Sequence, residues 1–429
     1  MPDSLVEPKS QSLVDRKDVR QIVALLAVQV ATYAIPLALI PYLGRTLGRD
    51  SFGRLAVAQS FGSYITVAVQ YGFNYSGTRA IAQALGNSSA VAIRVRDIMG
   101  AKLALTIVSL LICCAMVALK ADFSLGPRMM WSTFLWSIVN GFTLVWFFQG
   151  SRRLEICAYL DCAGRIVAIA GIFLLVHRPD DAYLVMLLQG LGAGSVLLIQ
   201  FYLMYGRVRF HWPTFDASVQ TLARDFHVFA SRCVESVYLT GTSLILGSVQ
   251  PVAEVGIFAG PEKIVRAASY GIFPFYQVAY PRLVSELNRD KKRAIGYARV
   301  TVFIAVGVAA SVALLLWFNA ETIVRISLGH QFSGSTIILK MLSPLVVFMV
   351  AVGGVGSNLM LALNRDKWLT RILTIGGAFC AIATFVLSRQ LGAKGSCISL
   401  LATYALILIL IWHHFRSWPA IDGSRTASR

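Results

Sequence analysis

Residues 21–75, QIVALLAVQVATYAIPLALIPYLGRTLGRDSFGRLAVAQSFGSYITVAVQYGFNY, contain two long apolar segments joined by a short turn. Each segment, 21–43 or 52–75, exceeds the roughly 20 residues that a helix needs to span a bilayer. The same pattern recurs along the chain and predicts about twelve membrane-spanning helices. The predicted spans are 21–43, 52–75, 99–119, 128–149, 157–176, 182–205, 226–248, 255–279, 296–318, 336–359, 367–388 and 396–415.

The composition excludes a soluble globular protein, because 56% of the 429 residues are hydrophobic and only 14% are charged. About twelve spans leave too little chain for a separate soluble domain or a large catalytic loop. The seven cysteines are odd in number and lack metal-binding spacing, so we expect no disulfide, metal or other cofactor. The sequence has neither a P-loop nor a triad-like grouping, so we expect no enzymatic activity and no catalytic residues.

The basic residues predict the orientation in the membrane. Roughly 26 of the 39 Lys and Arg residues lie in the termini and in every second loop, against about 8 in the other loops. This asymmetry places both termini in the cytoplasm and makes the chain a multi-pass inner-membrane protein. Most of the basic residues behind the net charge of +18 then serve to orient the chain in the membrane. Because these residues are scattered over many short loops, we expect no nucleic-acid binding.

The chain contains an internal repeat with a shift of about 203 residues. The shared residues are glycines of the outer turn, small residues of the following helix and an arginine at its inner end. Leu43 and Gly44 align with Leu246 and Gly247, Gly53 with Gly256, Ala56 with Ala259, and Arg79 with Arg282.

The repeat predicts an all-α polytopic membrane protein with two six-helix lobes, residues 1–205 and 226–429, the second ending in a short cytoplasmic tail. Both lobes start inside, so a pseudo-two-fold axis along the membrane normal relates them, and a substrate path would run between them. Residues 206–225 form the cytoplasmic linker, either as a helix at the membrane interface or as a solvated segment.

Polar residues in the predicted spans indicate a functional site, because polar groups in a bilayer are unfavourable without a purpose. Five of them share one face of the second span at three- and four-residue spacing: Gln59, Ser63, Thr66, Gln70 and Asn74. Such a stripe either lines a water-filled path or joins two helices.

The second half carries charged residues at pseudo-equivalent positions. Under the 203-residue shift, Arg232 aligns with Gln29, Glu235 with Thr32, Glu262 with Gln59, and Arg266 with Ser63. This coincidence favours a shared central cavity, to which Lys263 and Lys340 would add cations. The alternative is that Arg232–Glu235 and Glu262–Arg266 are self-neutralising structural pairs. For Asp161 and Arg165, one turn apart, a structural pair is the simpler interpretation.

Residues 35–82, IPLALIPYLGRTLGRDSFGRLAVAQSFGSYITVAVQYGFNYSGTRAIA, resemble the opening of the polysaccharide transporter family. These are the Wzx-type O-antigen and exopolysaccharide flippases of the multidrug/oligosaccharidyl-lipid/polysaccharide exporter superfamily. The matching parts are Pro41-Tyr42-Leu43, Leu47-Gly48 before Phe52-Gly53, Ala58-Gln59, Tyr71-Gly72-Phe73-Asn74 before Thr78-Arg79, and, farther on, Trp146-Phe147-Phe148-Gln149-Gly150 before Arg165-Ile166. The C-terminal third matches in hydropathy only.

The resemblance implies a flippase that moves undecaprenyl-diphosphate-linked oligosaccharide repeat units to the periplasmic leaflet by alternating access, for assembly of O-antigen, capsule or exopolysaccharide. It implies contact with membrane lipids and leaves polysaccharide polymerase and chain-length proteins open as partners. The alternatives are a multidrug or other small-molecule antiporter of the same superfamily and, outside transport, a membrane polysaccharide polymerase or ligase. The intramembrane cations count against the first, and the short outer loops against the second.

Three groups of residues receive roles from this interpretation. The expected diphosphate ligands are the cations Arg232, Lys263, Arg266 and Lys340. The expected partners of the sugars are Gln59, Gln70, Asn74 and Tyr33. The carboxylates expected to couple transport to protons are Glu235 and Glu262.

Overall fold

The computed structural model describes residues 16–119, 125–363 and 365–416, with side chains from residue 38 onward except 288 and 357. Every regular element in these ranges is a helix. The α-helices are α1 (Arg16–Gln70), α2 (Phe73–Ala84), α3 (Ser88–Ala118), α4 (Gly126–Gly141), α5 (Val145–Gly150), α6 (Leu154–Leu175), α7 (Ala182–Tyr205), α8 (Phe215–Ser236), α9 (Thr242–Val249), α10 (Val252–Tyr270), α11 (Phe273–Arg289), α12 (Lys291–Phe318), α13 (Ala320–Ser327), α14 (Ser335–Leu342), α15 (Leu345–Val352), α16 (Asp366–Leu391) and α17 (Ala393–Arg416). Short π-helical stretches, Val237–Gly241 and Gly353–Met360, continue α8 and α15.

Helix α1 is two helices joined at Gly48, where φ is 69° and ψ is 177°. A residue with a side chain is strained at this positive φ, whereas glycine adopts it readily. The predicted spans 21–43 and 52–75 fall on either side of this break. Gly48 therefore lets the two spans follow each other without a longer loop.

The chain is a multi-pass membrane protein. Eight helical segments within the described ranges are long and apolar enough to cross a bilayer. They are Ser88–Ala118, Gly126–Gly150, Leu154–Leu175, Pro179–Tyr205, Lys291–Phe318, Ser335–Met360, Asp366–Leu391 and Ala393–Phe415. The other four predicted spans, 21–43, 52–75, 226–248 and 255–279, lie on or overlap helices too. The total of twelve stays a prediction.

The helices form two lobes that meet along α1 and α10. In the N-terminal lobe, α1 packs against α4 and α6, while α7 packs against both α4 and α6. In the C-terminal lobe, α16 packs against α17 and α9, and α10 packs against α14. The second half of α1 and helix α10 are the repeat-related helices, so the lobes meet through equivalent elements.

Gly53 and Gly256 touch each other where the lobes meet. A Cβ on Gly53 would overlap the carbonyl oxygen of Val252 and lie 2.9 Å from the backbone nitrogen of Gly256. A Cβ on Gly256 would overlap the carbonyl oxygen of Arg49. Arg49 and Val252 are also separated by the repeat shift, so each lobe makes the same contact, as on a two-fold axis. The predicted pseudo-two-fold relation is confirmed at this point.

Replacing Gly53 with Ala is expected to lower the melting temperature of the purified protein. The new Cβ would meet backbone atoms that cannot rotate away, and overpacking of this kind costs about 1–3 kcal/mol. Gly307→Ala is the matched control, because no atom lies within 4 Å of its added Cβ. Thermal denaturation in detergent should separate the two variants, and equal melting temperatures would show that the lobes do not depend on this contact.

The predicted linker 206–225 contains a non-helical part and the start of a helix. Residues 206–214 are not helical, whereas residues 215–225 belong to α8 and continue without a break toward the predicted span 226–248. Helix α8 packs against α3, and a Cβ on Gly100 of α3 would lie 2.8 Å from Cβ of Pro213, just before α8. The bounds of the linker stay a prediction.

Candidate functional site: two connected cavities

A cavity of about 370 Å³ lies between the lobes, and we call it the inter-lobe cavity. The polar face of α1 forms one wall and the C-terminal part of α8 forms the other. The predicted site residues on its surface are Gln70, Asn74, Arg232 and Glu235, together with Ser63 and Thr66 of the stripe. The structure thus brings residues from both halves of the chain to one cavity.

Arg232 is the cation that lines the inter-lobe cavity. Its guanidinium group donates hydrogen bonds to the carboxylate of Glu235 and to the hydroxyl of Tyr75. The guanidinium carbon also lies 4.3 Å from the centroid of the Tyr75 ring. The side chains of Arg232 and Glu235 are 32% and 31% exposed, so a ligand in the cavity can reach both charges. An anion could compete with Glu235 for the guanidinium group.

A second cavity, of about 500 Å³, lies inside the N-terminal lobe, and we call it the N-lobe cavity. It is bounded by α1, α4, α6 and α7. Six amide side chains line it: Gln59, Gln70, Asn74, Asn140, Gln189 and Gln200. An amide can both donate and accept hydrogen bonds, which suits a ligand rich in hydroxyl groups. Gln59, Gln70 and Asn74 were predicted from the sequence as site residues, whereas Asn140, Gln189 and Gln200 were not.

The two cavities share part of their lining. Gln70, Asn74, Asn140 and Trp136 border both of them. Gln70 Nε2 donates to the carbonyl oxygen of Asn140 at 3.1 Å, and Asn74 Nδ2 lies 3.5 Å from Gln70 Oε1. The polar stripe therefore lines cavities, as one interpretation expected, and also joins helices, since Thr66 Oγ1 donates to the carbonyl oxygen of Ser137 at 3.1 Å.

Asp161 lines the N-lobe cavity. Its Oδ1 accepts a hydrogen bond from Gln200 Nε2 at 2.9 Å, and its Oδ2 lies 3.8 Å from Sγ of Cys157. In the part of the chain that the structure describes, Asp161 and Arg165 form no ion pair within 4.0 Å, although both line the cavity. Their structural pairing stays a prediction, and the hydrogen bond from Gln200 of α7 is a partner of Asp161 that the sequence did not indicate.

Lys263 forms a bond between the lobes. Its Nζ donates to Oε1 of Gln59 at 2.6 Å and lies 5.2 Å from the centroid of the Phe52 ring. Gln59 in turn lines the N-lobe cavity. Lys263 thus places a positive charge next to the amide-lined cavity while it connects α10 to α1.

Glu262 and Arg266 form a buried pair inside the C-terminal lobe. Glu262 Oε1 accepts from Nε and Nη2 of Arg266 at 2.9 and 2.8 Å, and Nη2 also donates to the carbonyl oxygen of Tyr238 at 2.9 Å. The two side chains are only 9% and 10% exposed, and neither lines the two cavities. This geometry favours the alternative of a self-neutralising structural pair.

Two further predicted residues lie apart from this group. Lys340 is half-buried on α14, which packs against α10, and it lines neither cavity. Tyr33 lies on α1 but outside the residues whose side chains are described. Their predicted roles stay predictions.

Lys102 is a buried cation that sequence reasoning missed. Its Nζ donates to the carbonyl oxygens of Gly141 and Thr143 at 2.8 and 3.3 Å, where α4 ends and before α5 begins. Carbonyl groups at a helix C-terminus carry partial negative charge, which a lysine compensates. The sequence feature that could have indicated this buried cation is a single lysine in the predicted apolar span 99–119. Lys102 fixes the end of α4 next to Asn140, which borders both cavities.

Comparisons with known proteins agree with this architecture. A family profile described as polysaccharide biosynthesis protein matches residues 19–287. A candidate O-antigen transporter of Escherichia coli strain K12 is 29% identical over 397 residues, which cover 91% of this chain and 95% of that protein. An inward-facing multidrug resistance MATE family transporter of the MOP superfamily has a TM-score of 0.68 at 13% identity, over 92% of this chain and 98% of that one. The lipid II flippase MurJ, in an inward closed conformation, has a TM-score of 0.66 at 12% identity, over 94% of this chain and 88% of that one.

Proposed function

Because the chain belongs to the polysaccharide biosynthesis protein family, we propose that it is a flippase for undecaprenyl-diphosphate-linked oligosaccharide repeat units in the bacterial inner membrane. One observation supports this more than any other: an amide-lined cavity inside the N-terminal lobe adjoins a cavity with an arginine between the lobes. A lipid-linked oligosaccharide needs both environments, hydrogen-bonding groups for its sugars and cations for its diphosphate.

The sugars are assigned to the N-lobe cavity. Its volume of about 500 Å³ is in the range of small-molecule sites, and Gln59, Gln70 and Asn74 supply donors and acceptors. Trp136 offers an aromatic face at the border of the two cavities. The diphosphate is assigned to Arg232, which lines the inter-lobe cavity, and to Lys263, which bonds Gln59 at the N-lobe cavity.

Transport would proceed by alternating access of the two lobes. Gly53 and Gly256 close the lobes against each other beside the predicted outer turns. Gln70, on the inter-lobe cavity, follows Gly53 by 17 residues of α1, which corresponds to about 25 Å along the helix. This arrangement supports a state that is closed toward the periplasm and has its cavity near the cytoplasmic side. Separation of the glycine contact would open the opposite side.

Of the two carboxylates predicted to couple transport to protons, Glu235 is placed better. Glu235 lines the inter-lobe cavity, whereas Glu262 is held inside the C-terminal lobe by Arg266. A proton on Glu235 would weaken its bond to Arg232 and free the guanidinium group for the diphosphate. Protonation and substrate binding would then favour each other.

The function is tested with the purified protein in proteoliposomes. We expect it to accelerate the exchange of an undecaprenyl-diphosphate-linked oligosaccharide between leaflets, followed with a membrane-impermeant lectin. Protein-free liposomes measure the spontaneous rate. Undecaprenyl monophosphate, added as a competitor because the lectin cannot report on a lipid without sugars, should leave the exchange rate unchanged if the diphosphate and sugars are needed for binding. An exchange rate equal to that of protein-free liposomes would refute the proposal.

The orientation is a separate prediction. Reporter fusions after Arg293 and Arg365 should give cytoplasmic signals, and fusions after Lys120 and His177 should give periplasmic signals, because the basic residues favour alternate loops. Periplasmic activity at Arg293 would overturn both the number of spans and the direction of transport.

A multidrug antiporter is the second candidate, because the fold is shared with a MATE transporter and Asp161 places a carboxylate on the N-lobe cavity. Uptake of cationic dyes into inverted vesicles distinguishes the two candidates. Dye transport without exchange of the lipid-linked oligosaccharide would favour the antiporter. An enzymatic role as polymerase or ligase is not supported, since the relatives are named as transporters.

A further inference from the structure

A third cavity, of about 500 Å³, lies where α2, α3 and the start of α8 meet, and we call it the entrance pocket. Its charged lining consists of Arg79, Arg94, Arg224 and Asp225, with His227 beside them. Three guanidinium groups face a single carboxylate, so the pocket carries surplus positive charge.

Two of the three arginines have no neutralising partner in the part of the chain that the structure describes. Arg224 Nε donates to Asp225 Oδ1 at 3.1 Å. Among the described residues, Arg79 and Arg94 take part in no ion pair and no side-chain hydrogen bond. Arg96, two positions after Arg94 on the same helix, instead bonds its neighbour Asp97 at 2.7 Å. Arg79 and Arg94 therefore leave their charges available to a ligand in the pocket.

The requirement for basic residues on the cytoplasmic side does not explain this arrangement. Orientation in the membrane depends on the number of Lys and Arg residues in a loop, wherever their side chains point. Here arginines from three helices, two in one lobe and one in the other, converge on a single pocket. Arginine binds phosphate oxygens through two parallel hydrogen bonds, so a cluster of free guanidinium groups suits a phosphate-bearing ligand.

The entrance pocket adjoins the inter-lobe cavity at Tyr75. Tyr75 lines both of them, and its ring lies under the guanidinium group of Arg232. A phosphate group that moves from Arg79 and Arg94 past Tyr75 would therefore meet Arg232 next. Lys263 of α10 offers a further cation, bonded to Gln59 of α1.

We propose that Arg79, Arg94 and Arg224 form a docking site for the diphosphate of the lipid-linked substrate, which is occupied before the substrate enters the inter-lobe cavity. This inference rests on the proposed flippase function. The pocket residues Arg79 and Arg224 lie at the predicted inner boundaries of the spans 52–75 and 226–248, so the pocket is placed at the level of lipid head groups.

Binding of inorganic pyrophosphate to the full chain in lipid nanodiscs tests the site. Arg232→Ala is present in every protein compared, including the one that is otherwise wild type, so that the inter-lobe cavity does not contribute to binding. Isothermal titration calorimetry should give at least about a tenfold weaker affinity for Arg79→Gln/Arg94→Gln, since charge-assisted bonds to two guanidinium groups are lost. Arg96→Gln is the matched control, because it removes a charge from the same region outside the pocket, and its affinity should equal that of the wild type. Arg79→Lys/Arg94→Lys should recover part of the affinity.

The exchange assay in proteoliposomes separates docking from transport. The double Gln variant should need a higher substrate concentration for its half-maximal rate and keep its maximal rate, because the later cavities are intact. Unchanged pyrophosphate affinity in the double variant, or no binding by the wild type, would overturn the docking site and leave the flippase function standing. Equal competition by phosphatidylglycerol in the nanodisc would assign the pocket to a membrane lipid and overturn its assignment to the substrate.

Discussion

Replacing Arg266 with Ala is expected to deplete the protein from the membrane before any defect in transport can be measured. Arg266 provides both hydrogen bonds to Glu262 Oε1, and the Glu262 side chain is only 9% exposed. Removing one member of a buried ion pair costs about 3–5 kcal/mol, because the other charge remains buried without compensation. That is a large part of the roughly 5–15 kcal/mol by which proteins are stable. Immunoblots of membranes and melting temperatures in detergent measure the effect.

The double variant Arg266→Met/Glu262→Gln is the control for this prediction. It removes both charges and keeps side chains of similar volume, so abundance should return toward that of the wild type. Normal abundance of Arg266→Ala together with a loss of export would contradict the structural role. In that case Arg266 would bind the substrate, as the sequence predicted.

Replacing Arg232 with Ala is expected to have the opposite phenotype, a loss of transport at normal abundance. Arg232 is the cation on the inter-lobe cavity, and about a third of its side chain and of the Glu235 side chain is exposed. Water in the cavity can therefore hydrate Glu235 when Arg232 is absent, so stability should change little. The diphosphate would lose its ligand and meet an unneutralised carboxylate. We expect the exchange rate at low substrate concentration to fall roughly ten- to hundredfold.

Two further variants specify the role of Arg232. Arg232→Lys should keep part of the activity if charge is sufficient, and little if two parallel hydrogen bonds are needed. Arg289→Ala, at an exposed position in the last turn of α11, controls for the general loss of a positive charge. Full exchange by Arg232→Ala would remove the inter-lobe cavity from the substrate path.

The contrast between Arg232 and Arg266 could not be predicted from the sequence. Both arginines lie within one turn of a glutamate, and both fall on polar positions of the other lobe under the repeat shift. Spacing along a helix indicates which residues share a face, but it does not indicate what that face contacts. In the structure the Arg232–Glu235 pair faces the inter-lobe cavity, whereas the Glu262–Arg266 pair is packed inside the C-terminal lobe. Only this difference in solvation gives the two pairs different roles.

The lining of the N-lobe cavity could likewise be predicted only in part from the sequence. The period of the stripe on the second span identified Gln59, Gln70 and Asn74 as polar positions on one face. Asn140 lies on α4, and Gln189 and Gln200 lie on α7. Their local sequence does not distinguish cavity-lining residues from residues that join helices. Asp161 was assigned to Arg165 because the two are close in sequence, yet it bonds Gln200 on another helix.

The sequence by itself determined that the chain is an all-helical membrane protein of two related lobes with glycines in their outer turns. Hydropathy over a span and the freedom of Gly48 to adopt a positive φ are local properties, and the physical preferences they express hold whatever the rest of the chain does. The tertiary structure alone decided which polar groups meet in a cavity, which charges neutralise each other and where Lys102 finds its acceptors. Those outcomes depend on the distances between helices far apart in sequence and on the resulting access of water, which sets whether a charge is paired, buried or available to a ligand.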